Sequence, residues 1–179
     1  MRLRSGQDRS GVAISSGGPA LELLYLRSVW GLDVPLDWPA TSPEPRRGSA
    51  ARPAVEEAAT AERWMELFNA WDCDLGSTGD AGWWGVRYGT AGFDHDARRE
   101  WLLAVKSSWN RDSPDVIRAR GDVLSRWQAG RGSGTPELWV LPLAGVFGQQ
   151  RTTRIVLSFG SFREPDVLEA ALGGLESPS

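Results

Sequence analysis

Trp64, Leu67, Phe68 and Trp71 stand at the i, i+3, i+4, i+7 spacing that places side chains on one face of a helix. The same period returns in Ala97, Trp101, Leu102, Val105 and Trp109, and again in Val116, Ile117, Val123, Leu124 and Trp127. Stripes of this width must each be buried against another layer, which commits the chain to a set of helices around a common core. A chain of 179 residues with 41% hydrophobic content is large enough to build that core. Its single cysteine, Cys73, excludes an intrachain disulfide, so burial must hold the fold and a cytoplasmic setting is expected.

Punctuation places the helices. Pro53 suits a first helical turn, and Gly76 and Gly79 close the helix that carries Trp64. Asp94 can accept the free N–H groups of the next helix, and Lys106 matches its C-terminal dipole. Ser113 and Pro114 open a third helix that Gly130 ends. Upstream, Leu21, Leu24, Tyr25 and Val29 approximate a short helix stopped by Gly31, and Pro165 opens a last one through Leu168, Ala171, Leu172 and Leu175. The runs ELWVLPL and TRIVLSF, separated by a loop containing Gly and Gln, predict a C-terminal β-hairpin. Pro142 should place the first of these strands at an edge or end it there. Trp84, Val86 and Tyr88 alternate as in a short strand. The expected class is α+β, with about four to five helices packed on a small, mainly antiparallel sheet.

The expected organisation is a disordered tail over 1–19, a short helical segment over 20–38 packing on the body, a Pro/Arg-rich linker over 39–53, and one α+β domain over 54–176. Residues 1–19 lack an apolar run after their positive charges, so they do not read as a secretory signal. The richest apolar stretch, Leu138 to Phe147, is too short to span a bilayer and is broken by Pro142 and Gly145. Lys106 is the only lysine among twenty basic residues, a bias expected of a GC-rich, bacterial genome.

The net charge is −3, with residues 1–53 carrying +2 and residues 54–179 carrying −5. A mildly acidic body argues against nucleic acid as the main partner and leaves only a sparse basic arm of Arg2, Arg4, Arg9, Arg46, Arg47 and Arg52. His95 is the only histidine, which excludes a metal site built on several imidazoles. It lies between two aspartates at a helix start, where a solvated side chain is expected. Cys73 at a helix end meets the wrong end of the dipole for a thiolate. Ser158 has Val156 where a nucleophile elbow needs glycine. Asp72 and Asp74 begin like a calcium loop, but Ser77 and Trp83 occupy positions that need glycine and glutamate. GRGSGT runs from helix to strand and lacks the lysine of a phosphate loop. Nothing in these motifs calls for a metal or cofactor.

Ten tryptophans are the compositional anomaly. Those on helical stripes, with Trp139 in an apolar strand, belong to the core; Trp30, Trp38, Trp83 and Trp84 fit no stripe. Trp83 and Trp84 face opposite sides of a strand, so one of them is expected at the surface, beside Asp80, Arg87, Tyr88 and Asp94. These six residues form the candidate binding site of a non-catalytic binding or adaptor protein whose partner is another protein. The alternative is a hydrolase-type enzyme using Asp72, Asp74, Asp80, Asp94 or Asp96 as acid and base. Weak nucleic-acid binding through the arginine-containing arm comes third.

Overall fold

The computed structural model describes residues 12–15, 18–46, 57–72, 94–109, 112–131, 137–151 and 154–174. The strand expected around Trp84 and the helix start at Pro53 lie outside them, as do the arginines before Arg27. The elements run β1 (Ile14–Ser15), α1 (Gly18–Trp30), α2 (Glu57–Asp72), α3 (His95–Trp109), α4 (Pro114–Arg131), β2 (Glu137–Leu141), β3 (Gly148–Gln150), β4 (Arg154–Ser158), α5 (Phe159–Arg163) and α6 (Pro165–Gly173). The class is α+β, with six helices among the described residues and a mixed four-stranded sheet of order β1-β2-β4-β3.

The C-terminal hairpin is formed by β3 and β4, which pair antiparallel with Gln149 opposite Val156. The two apolar runs expected to form it, β2 and β4, instead lie parallel with Trp139 opposite Val156. β1 also pairs parallel with β2, so the sheet is mixed rather than mainly antiparallel. Burial explains the arrangement. RIVLS is buried along its whole length and takes an inner position, whereas GQQ is exposed at both ends and takes the edge. After Pro142 the chain turns through Gly145, at φ 67°, passes the position of β4 and returns beyond it. β1 lies inside the segment expected to be a tail, where Val12 and Ile14 are both buried.

α1 is buried around most of its circumference, since Leu23, Leu24, Tyr25 and Leu26 are successive core residues. It ends as expected: Gly31 adopts φ 61°, while its N–H and that of Leu32 donate to the carbonyls of Ser28 and Arg27. Trp64 of α2 is completely buried, donates its indole N–H to the Leu23 carbonyl at 2.7 Å, and stacks on Phe68 at 5.3 Å. Trp101 of α3 packs against Tyr25 and donates to the Pro43 carbonyl at 2.7 Å.

Trp30 and Trp38, which no helical stripe accounts for, are core residues as well. Trp38 donates to Gln149 Oε1 at 2.7 Å and meets Phe68 edge-on at 4.9 Å, so the segment after α1 covers the β3 edge. Ile117 departs from its expected place: it is 44% exposed, because it falls at the rim of the α4 stripe that buries Val123 and Leu124. Among the described residues no helix is long and apolar enough to cross a membrane.

Candidate functional site

Of the residues singled out in the sequence, the structure places Asp94 and its neighbours. Asp94 caps α3, its Oδ1 accepting the Ala97 N–H at 2.9 Å and its carbonyl accepting the Tyr25 hydroxyl at 3.3 Å. Burial, with a smaller contribution from the Asp94 charge, pushes the Tyr25 hydroxyl above its ordinary pKa. His95 and Asp96 are exposed in the first turn. Asp72 is in the last turn of α2, with a side chain outside the description. Cys73, Asp74, Asp80, Trp83, Trp84, Arg87 and Tyr88 lie outside the described residues. Ser158 is fully buried, accepting the Ser161 N–H and donating to the Gly145 carbonyl, and so serves as the α5 cap.

A different constellation forms where α3, α4 and α5 meet. Asp112, just before α4, accepts from Arg120 Nη1 at 2.6 Å through one oxygen and from Arg163 Nε at 3.1 Å through the other. Arg163 also donates to the Ser108 carbonyl near the end of α3. The Asp112 and Arg120 side chains are each 12% exposed, and that of Arg163 is 32% exposed. Arg120 lies over the Phe162 ring at 4.3 Å. Trp109 stacks on Phe162 at 5.9 Å and meets Phe159 at 5.4 Å.

These six side chains line a half-open cavity of ≈ 20 Å³, room for about one water-sized group. Among the described residues two guanidiniums share one carboxylate here, so the cluster carries a net positive charge and more N–H donors than acceptors. Arg120 Nε is sealed from solvent and has no acceptor among the described residues. Among the described residues, no group of three or more His, Cys, Asp or Glu side chains is placed to hold a metal ion.

Sequence reasoning missed this site, although one signal was available. Arg120 follows Val116 by four residues and precedes Val123, Leu124 and Trp127 by three, four and seven, so a cation stands on the apolar stripe of α4. Arg163 has no comparable signature, because its place depends on how α5 leaves β4.

No protein-family model matches the chain, and neither does any curated protein or solved structure.

Proposed function

We propose that this is a non-catalytic binding protein that engages another protein through the Trp109–Arg120–Arg163 pocket. The observation that carries this is the meeting of two arginines and three aromatic rings at one surface opening. Arginine and aromatic side chains dominate interface anchors, because they bring large contact area together with donors and lose little entropy when already held. Here Asp112 and Phe162 hold Arg120, so its geometry is set before a partner arrives. The cavity admits a single small group, which suits an anchor residue better than a substrate that must be enclosed. Trp83–Tyr88, which the sequence marks as an aromatic binding segment and which lies outside the described residues, is a second candidate for the same role.

Affinity capture from native extract with the full chain tests the pocket. Arg163→Glu should abolish capture of a specific partner, while Arg118→Glu, the same charge change at an exposed position of α4, should preserve it. Retention by both variants, or loss in both, would refute the pocket as the binding surface. Thermal melts of both variants separate lost binding from lost folding.

A further inference from the structure

We propose that the pocket between α3, α4 and α5 is a carboxylate acceptor, receiving an acidic side chain of the protein partner. The inference rests on the binding role assigned to the pocket and adds the chemistry of what enters it. The donors come first. Asp112 engages one nitrogen of each guanidinium, and Ser108 takes one further bond from Arg163. Among the described residues the remaining N–H groups of Arg120 and Arg163 exceed the acceptors at the opening, and two guanidiniums share one carboxylate. A group that supplies both lone pairs and a negative charge at the opening satisfies the accessible N–H groups and offsets the charge. Charge-assisted bonds to a planar guanidinium are strong and directional, and a carboxylate matches its fork.

Size then selects among anions. A half-open cavity of ≈ 20 Å³ takes one oxygen, with the remainder of the ligand outside the mouth. A carboxylate at the end of a side chain meets that limit with a single oxygen left at the mouth, while a tetrahedral phosphate would leave three oxygens and their charge outside the donors. The net charge of −3 also makes the chain a poor long-range attractor of polyanions, so the site reads an anion at contact distance. Trp109 and Phe159 at the same opening supply apolar surface for the methylenes of a glutamate stem.

The experiment is a titration of the full chain carrying fluorotryptophan, with the Trp109 resonance assigned by Trp109→Phe and followed by fluorine NMR. The probes are a blocked tetrapeptide containing one glutamate, its glutamine counterpart, and inorganic phosphate. The expected result is a saturable shift of Trp109 with the glutamate peptide alone. Arg163→Gln should weaken it about tenfold or more, the loss of one charged hydrogen bond. Equal shifts with both peptides, or no shift, would overturn the proposal. Tighter binding of phosphate would overturn the carboxylate assignment in favour of a phosphate site. Arg120→Lys keeps the charge and removes the fork, so it should also weaken binding if Arg163→Gln fails to fold. A glutamate peptide that does not bind, beside partner capture that still depends on Arg163, refutes this inference and leaves the binding role standing. The reverse pattern refutes the binding role and leaves the carboxylate site.

Discussion

Asp112 bridges Arg120 and Arg163, and its removal has a calculable cost. Asp112→Ala leaves the guanidinium of Arg120, whose side chain is only 12% exposed, without its counter-charge. Breaking a buried ion pair from one side costs about 3–5 kcal/mol. The slight exposure of both partners places this pair at the lower end, about 3 kcal/mol. Arg163 is about a third exposed and is partly solvated, so its share adds less than about 1 kcal/mol. The sum is about 3–4 kcal/mol, or roughly 6–16 °C in melting temperature for a chain of this length. Urea denaturation followed by tryptophan fluorescence measures it, with an unchanged slope showing that the unfolded reference is the same. Replacing both members, Asp112→Ala with Arg120→Met, should return all but about 1 kcal/mol, since an apolar side chain over Phe162 leaves only the partly solvated Arg163 without its partner. A cost below about 1 kcal/mol for Asp112→Ala alone would refute the description of this junction as a buried, charge-compensated one.

Trp64→Ala should destabilise the fold by about 3–5 kcal/mol in the same assay, through lost area, a cavity against Phe68, and a Leu23 carbonyl left without its donor. Less than about 1 kcal/mol would show that the α2 stripe faces solvent. The raised pKa of Tyr25 means that the unfolded chain loses this proton at a lower pH than the folded one. Stability from this group is therefore full below about pH 10, and is lost as pH rises through the higher folded value. Alkaline melts of Tyr25→Phe should show a shallower decline than wild type, and equal slopes would contradict the burial argument.

The helical half of the fold is legible because its signals are local. Asp94 and Ser113 cap the helices they were expected to cap, with Oδ1 to Ala97 N at 2.9 Å and Oγ to Val116 N at 3.3 Å. Gly31 ends α1 through a positive φ that only its own sequence had to permit. Strand pairing is not local. ELWVL and RIVLS are continuous apolar runs without clean alternation, the pattern of strands covered on both faces, and that pattern favours parallel pairing. Reading them as hairpin partners relied on their closeness in sequence and on a loop whose Gly-Gln-Gln is itself the missing strand. The pocket was less legible still. Arg120 is visible as a cation on an apolar stripe and Asp112 lies eight residues before it, but Phe162 and Arg163 reach it only after β4 has been seated inside the sheet.

The dependence of the pocket on β4 gives the last prediction, at a residue that does not line it. α5 has five residues and so cannot persist on its own helical hydrogen bonds. It is held by a node at the end of β4, where the Phe147 N–H donates to Ser161 Oγ at 2.7 Å, Ser161 Oγ donates to the Phe147 carbonyl, and Ser158 Oγ donates to the Gly145 carbonyl. The loop at 145–147 therefore lies directly on α5. A Cβ at Gly160 would stand 2.5 Å from the Gly145 carbonyl oxygen, so the backbone of one or the other has to move. Gly160→Ala should cost about 1–3 kcal/mol as overpacking. Because Phe159, Phe162 and Arg163 ride on the same turn, any shift of α5 also moves two rings and one guanidinium relative to Trp109 and Asp112. Binding of the glutamate peptide should weaken in this variant even at temperatures where it is fully folded. A loss of stability with unchanged peptide affinity would show that the loop yields instead of the helix, and would break the link from the Ser158–Ser161 node to the pocket.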